Sequence, residues 1–487
     1  MDNLGATFIS TFLTILRAYP AAHRQTPRPS SPFWWKMVFS LAGLMLLSAC
    51  GVMNPAQAQD DQVMPTPIAP PGGPIIGGAR DMQSSVTPTL APIESEVAET
   101  GVPGLTPFLS TSPTETTALS TAVPIFVPLA GATGPYSYEA NVNPLTGLMV
   151  SDPAVLNRRP IVVKVSNSPP LVRPQSGIND ADLVFEHYTE VGVTRFSAIF
   201  YANAPTRVGS IRSARLIDYE LSPMYQALLA FAGGSIGVEK RIYGSEAVKA
   251  GLCATREDRD QCGAESDIIG PAGFIPASDF ADRAYKGVVY GPPTYFRDEK
   301  VPVPHNLFVN LGALWELAAK EGFAQRPDLK GLAFLPDIPA NDNGSGIFLQ
   351  VRYATELVDW YFNFQDGLYY RSSDEIKHFD SNTNQQVRAS NVVVLYAGHY
   401  LTDIVESGWG ENVNWSTQIT LWPQGDMILF RDGKRYEGRW LRPSRSEALT
   451  FITKTGELLY LKPGNTWIQV VPLPDQMNPT IEWVKFF

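Results

Sequence analysis

Residues 51–135 limit what this chain can fold into. They hold 14 of the 41 prolines, are rich in Thr, Ser, Ala and Gly, and contain no Trp, Tyr, His or Lys. A segment so poor in large apolar side chains cannot bury enough surface to offset the entropy of ordering it, so a disordered tether is expected. As a random coil of 85 residues its ends lie about 50 Å apart, and its prolines stretch it further. Pro124-Ile-Phe-Val-Pro128 is a local apolar exception, read as a sticky spot, with docking on another surface the alternative.

The stretch ahead of the tether is different again. Arg24, Arg28 and Lys36 precede an apolar run from Met37 to Leu47, which closes in Leu47-Ser48-Ala49-Cys50. A run this short cannot cross a hydrocarbon core of roughly 30 Å as a helix, so it reads as a processing signal. Small residues ahead of a cysteine form a bacterial lipobox. The expected fate is thioether lipidation of Cys50, cleavage before it, and a mature chain tethered outside the cytoplasm. A diacylglyceryl group buries two acyl chains at about 0.8 kcal/mol per methylene, which holds stably. The leader is unusually long for such a signal, which points to a start downstream of Met1.

Beyond residue 50 there are 34 Lys/Arg against 47 Asp/Glu, a net −13 within the −10 of the 487-residue chain. Nucleic acid and anionic membrane surfaces both call for clustered cations, so neither is an expected partner, and membrane attachment is left to the lipid. The remaining cysteines, Cys253 and Cys262, stand nine residues apart in a polar stretch. In an oxidising compartment a loop disulfide is the expectation, with two free thiols the alternative. No second ligand pair stands nearby to make a metal site.

From Tyr136 onward the chain is rich in aromatic and β-branched residues. Ile161–Val165 reads as a buried strand, and Leu183–Val191 with Thr194–Tyr201 as a hairpin turned at Gly192. A short helix is expected over 213–221, stopped by Pro223, and a strand over 227–232. Asn310 as N-cap and Gly322 past the end frame a helix over 310–321. Residues 323–346 form a Pro/Asn/Gly/Asp-rich connection. Strands then follow at 347–353, 357–364, 392–396, 418–422, 427–430, 436–441, 458–461 and 467–471, separated by turn sequences. The expected organisation is a leader (1–49), a linker (50–135), an α/β or α+β domain (136–325) and a β-rich domain (346–487).

The densest polar cluster is Arg207-Val-Gly-Ser-Ile-Arg-Ser-Ala-Arg215, at an expected strand-to-helix junction. Helix N-termini offer free N–H donors, and guanidinium forks match carboxylate or phosphate oxygens. An anion site is one reading. Structural pairing with Asp180, Asp182, Glu186, Glu190 or Asp218 is the other. Glu186 and Glu190 on one strand would lie roughly 13 Å apart, beyond the 5–9.5 Å of a glycosidase pair, though each could hold an arginine. Gly233-Gly-Ser-Ile-Gly237 matches a nucleophile elbow after an apolar strand, which would make Ser235 a nucleophile with His305 or His378 as base. No oxyanion loop accompanies it. No zinc spacing, P-loop or dinucleotide fingerprint is present, so no cofactor is expected. Asp374, His378 and Asp380 are read as a solvated turn rather than a cation site.

Several of these segments, in order, resemble the YerB-like lipoproteins, a bacterial family catalogued as a pair of domains of unknown function. The resemblance rests on Asn143-Pro-Leu-Thr-Gly147, Arg159-Pro160 with Val163-Lys-Val-Ser-Asn167, Arg173-Pro-Gln-Ser-Gly177, and Ala181-Asp-Leu-Val-Phe-Glu186. It continues with Thr194-Arg195, the segment from Arg207 to Arg215, and Pro304-His-Asn306. In the second half it rests on Asp432-Gly433, Gly438-Arg-Trp440 and Pro463-Gly-Asn-Thr-Trp-Ile468. It covers 136–472 and implies an envelope lipoprotein with an α/β first domain. It carries no reaction, cofactor or ligand. The reading that follows is a membrane-anchored binding or scaffold protein of the cell envelope. Arg173, Arg195, Arg207, Ser210, Arg212 and Arg215 would hold an anionic component or a partner's acidic surface, with Glu186 and Glu190 orienting the guanidinium groups. The competing reading is an envelope hydrolase or transferase using Ser235 or His305.

Overall fold

A computed structural model describes residues 126–245, 247, 276–409 and 412–487. The leader, Cys50, most of the linker, and Cys253 and Cys262 lie outside the described residues. Ten strands form one sheet: β1 (Ile161–Ser166), β2 (Leu183–Tyr188), β3 (Thr194–Phe200), β4 (Leu228–Phe231), β5 (Ala284–Lys286), β6 (Asn391–Tyr396), β7 (Gln424–Arg431), β8 (Lys434–Leu441), β9 (Thr450–Thr453) and β10 (Thr466–Val471). Their order across the sheet is β9-β8-β7-β6-β10-β2-β3-β1-β4-β5. Strand β10 pairs in parallel with both β6 and β2, so one sheet runs through both halves of the folded chain.

The strands are apolar on both faces because both faces are covered. Val162, Phe185, Leu229 and Leu395 point into one core, while Val163, Val184, Ala230 and Val394 point into the other. The first core is closed by helices α1 (Leu216–Met224) and α2 (Ile236–Tyr243), through Leu221 and Ile242 among others. The second is closed by helix α3 (Leu311–Lys320) and by a smaller sheet containing Phe348–Arg352, Leu357–Asn363 and Leu368–Ser373. The Asn310 side chain accepts from the Ala313 amide at 3.2 Å, as an N-cap should.

Several elements differ from expectation. Helix α1 runs on through Pro223 to Met224, because a proline in the last turn removes one donor without halting the chain. Residues 458–461 make isolated bridges rather than a strand. A long two-stranded hairpin, 398–409 with 412–420, stands where only a strand at 418–422 was expected. It lies over α2, where a Cβ on Gly237 would run into the Ile404 side chain. The apolar spot near 124–128 is also more than sticky. Phe126 packs against Ala333, Leu335, Leu458 and Tyr460, and the Leu129 amide donates to the Tyr460 hydroxyl at 2.8 Å. Among the described residues no helix is long and apolar enough to cross a membrane.

Candidate functional site: a cation-lined cleft

Strands β1 and β4 pair in parallel only as far as Val163 and Ala230. Beyond that point they part, and residues 210–214 fill the gap. The Arg212 amide donates to Lys164 O and its carbonyl accepts from Ala232 N, both at 2.9 Å, while Ala214 N reaches Gly233 O at 2.8 Å. Gly209 precedes this segment at φ +152°, and a Cβ there would lie 2.8 Å from the Phe308 ring. The arginine segment is thus woven into the carboxyl ends of parallel strands, where open α/β sheets leave ligand crevices.

The structure neutralises most of the arginines that the sequence singles out. Arg173 pairs with Glu356 at 2.8 Å and Asp374 at 3.0 Å. Arg195 pairs with Glu190 at 3.4 Å and donates to Ser213 O at 2.8 Å. Arg215 grips Glu190 with two donors and reaches Glu406 at 3.4 Å. Arg207 pairs with Asp298 at 2.9 Å and stacks on Phe308. Burial alone would raise the Glu190 carboxyl, but Arg215 and Arg195 carry it down to about 2. Burial, and then the neighbouring Arg215, pull Arg195 down to about 9.

Arg212 is the exception. It makes no ion pair and no side-chain hydrogen bond with any described residue, and its Nε is buried without a partner. Burial first and the charge of Arg215 second lower its pKa, as expected for a cation in surplus.

Arg212 lines an open cleft of about 610 Å³ together with Gly233, Gly234, Lys286 and Arg297. Strand β4 ends at the glycines and β5 ends at Lys286. Lys286 pairs with Glu239 at 2.8 Å, and Glu239 also accepts from Gly234 N at 3.0 Å. Arg297 is aimed by Asn306, whose Oδ1 accepts at 2.7 Å. The cleft therefore gathers three cations against one carboxylate on a chain of net charge −10. Its other walls are Ile211, Val288, Val303, Pro304 and Leu307.

Ser235, which follows the cleft-lining Gly234 in the chain, is the N-cap of α2. Its backbone is ordinary extended chain at φ −65° and ψ 157°, not the strained turn of a nucleophile elbow, and its Oγ accepts from Val238 N at 3.4 Å. His305 is 8% exposed, with Nδ1 unpartnered and its carbonyl bonded by the Ser210 hydroxyl. Burial, then the charge of Arg212, lowers its pKa. No hydrogen bond joins Ser235 to a histidine among the described residues.

Glu186 sits apart from the cleft, on fully buried Arg371 at 2.9 and 3.0 Å. Arg371 also reaches Glu356 at 3.2 Å, and Gln469 and Trp467 donate to Glu186. Burial raises the Glu186 carboxyl against the pull of Arg371. This cluster ties residues 167–186 to residues 356–374. Asp374 stands in an exposed turn, as expected, whereas His378 and Asp380 are buried and flank this cluster. Asp374 holds Arg173, His378 is 3% exposed and bonds Arg371, and Asp380 accepts from the Asn179 and Asn382 amides. A second buried set joins Lys164 to Asp218 at 3.0 Å, His187 at 2.7 Å and Ser197 at 2.9 Å, and burial brings the lysine down to about 8. Lys286, Arg297, Glu356 and Arg371 carry no local motif in the sequence, and only the folded chain brings them to these places.

Most of the folded chain matches a two-part family. Residues 145–324 match the model of the "Protein of unknown function (DUF3048) N-terminal domain", and residues 349–468 match that family's C-terminal domain. The chain belongs to this family. It is similar to the "Putative lipoprotein YerB" of Bacillus subtilis, 28% identical over 335 residues, which cover 68% of this chain and 86% of that one. A crystal structure of YerB from the same organism superposes with a TM-score of 0.52 at 26% identity, covering 69% of this chain and 97% of the other.

Proposed function

We propose that this protein is a lipid-tethered, extracytoplasmic binding protein that holds an anionic group of an envelope component, or of a partner's acidic surface, in the Arg212 cleft. The carrying observation is that Arg212 alone among the sequence-selected arginines lacks a carboxylate partner among the described residues, and that it faces a cavity already in cationic surplus. Guanidinium groups at the carboxyl ends of parallel strands, beside the N-terminus of α2, suit carboxylate or phosphate oxygens. The lipobox at Cys50 and the lipoprotein name of the Bacillus subtilis relative support the anchor. The proline-rich stretch serves as the tether, and Cys253 and Cys262 close a loop disulfide outside the cytoplasm. Arg195 and Arg215, with Glu190, brace the segment that carries Arg212, while Arg173 and Glu186 stitch the two halves of the chain.

Titration of the full chain with inorganic phosphate and with phosphate-bearing wall fragments tests the reading. Each charge-assisted hydrogen bond contributes about 1.5–3 kcal/mol. An Arg212→Ala, Arg297→Ala pair should therefore weaken binding at least tenfold while the thermal transition stays in place. Binding unaffected by that pair would remove the reading.

A further inference from the structure

The walls of the same cleft say more about what enters it. Val288 and Val303 stand on its rim at 61% and 75% exposure, with Val289 beside them at 70%. Single exposed valines are ordinary on a protein surface. Here Val288 and Val303 border one cavity that is also lined by buried Ile211 and Leu307 and by Pro304. The loops that carry them are fixed: Gly287 N donates to Phe231 O at 2.7 Å, Val289 N to Lys286 O at 2.9 Å, and His305 N to Pro302 O at 2.8 Å. The lining thus combines three cations, Arg212, Arg297 and Lys286, with aliphatic side chains exposed to water. A small inorganic anion would use only the cations.

Resting on the anion-binding reading, we propose that the ligand is a single anionic amphiphile, a phosphomonoester headgroup on an alkyl chain. The head sits between Arg212 and Arg297, and the chain lies across Val288, Val303 and Pro304. The volume of about 610 Å³ falls within the range of small-molecule sites. Charge complementarity fixes the head, because the cleft offers two guanidinium groups without a carboxylate partner among the described residues. Covering the two solvent-exposed valines of the lining, Val288 and Val303, supplies the affinity that a solvated phosphate lacks.

The test uses the full chain carrying Cys50→Ala, so that no acyl group of its own competes. It is titrated calorimetrically with inorganic phosphate and with butyl, hexyl and octyl phosphate below their micellar concentrations. Octyl glucoside is the neutral control. A fully buried methylene strengthens binding about fourfold, and in an open cleft a gain of roughly two- to fourfold per methylene is expected. Arg212→Ala should abolish binding at every chain length. Val288→Ser with Val303→Ser, both at exposed positions, should flatten the chain-length dependence and leave inorganic phosphate binding unchanged. Arg212-dependent binding of inorganic phosphate with no gain from longer chains would overturn the amphiphile and spare the anion site. No binding of any anion would overturn both. Octyl glucoside binding as tightly as octyl phosphate would show an indiscriminate apolar surface and overturn the amphiphile.

Discussion

Arg212 and Arg215 are three residues apart, yet their removal should have opposite consequences. In Arg215→Ala, Glu406 loses the partner it has at 3.4 Å, with a side chain only 1% exposed and Oε1 already unpartnered. Glu190 keeps only the longer contact to Arg195 at 3.4 Å. Leaving a buried carboxylate uncompensated costs about 3–5 kcal/mol. In Arg212→Ala no carboxylate is stranded and the repulsion from Arg215 is relieved, so stability should stay within about 1 kcal/mol of the parent. Urea unfolding followed by tryptophan fluorescence separates the two. With an m-value of about 3–4 kcal/mol/M for a body this size, Arg215→Ala should lower the midpoint by roughly 1 M and Arg212→Ala by no more than about 0.3 M. A cost for Arg212→Ala equal to that for Arg215→Ala would refute the division of this segment into a brace and a site.

Three further outcomes follow from the same structure. Mass spectrometry of the membrane-derived protein should find the chain beginning at an acylated Cys50, and peptide mapping should find Cys253 linked to Cys262; an unmodified N-terminus would remove the anchor. Arg371→Met should cost about 3–5 kcal/mol by stranding Glu186, while Glu356 keeps Arg173 at 2.8 Å, and adding Glu186→Gln should recover part of the loss; an additive further loss would contradict the cluster. Burial lowers His399 to about 4, so between pH 6.5 and 4 the unfolded chain takes up a proton that the folded chain refuses. Stability should then fall with falling pH by about 1.4 kcal/mol per unit from this group. The urea midpoint of His399→Gln should drop less between pH 7 and 5 than that of the parent, and an equal drop would contradict the assignment.

Local chemistry made part of this molecule legible in its sequence. The runs Ile161-Val-Val-Lys-Val165 and Leu183 to Tyr201 declare β1 and the β2–β3 hairpin by their apolar patterning, and Asn310 with Gly322 brackets α3 within a residue or two. All of the 398–420 hairpin but its last three residues escaped because its strands alternate irregularly, with register shifts between Leu401 and Ser407. The insertion of β10 between β6 and β2 is a long-range pairing that no local pattern encodes. The same holds for the site. The Arg207–Arg215 cluster is visible as a charge anomaly, but which of its members is free depends on distant carboxylates. Glu190 and Glu406 remove Arg215 from the solvent-facing set, and Asp298 removes Arg207. Lys286 and Arg297, which complete the cleft, carry no motif because their roles come from where β5 and the short strand Tyr295–Arg297 end.

Diffraction from crystals of the full chain soaked in low-millimolar tungstate, a heavy stand-in for phosphate, tests the anion cleft most directly. The strongest anomalous peak should lie within hydrogen-bonding distance of the Arg212 and Arg297 guanidinium groups and vanish in Arg212→Ala crystals. An empty cleft, with tungstate settled on Arg173 or Arg207 instead, would contradict it.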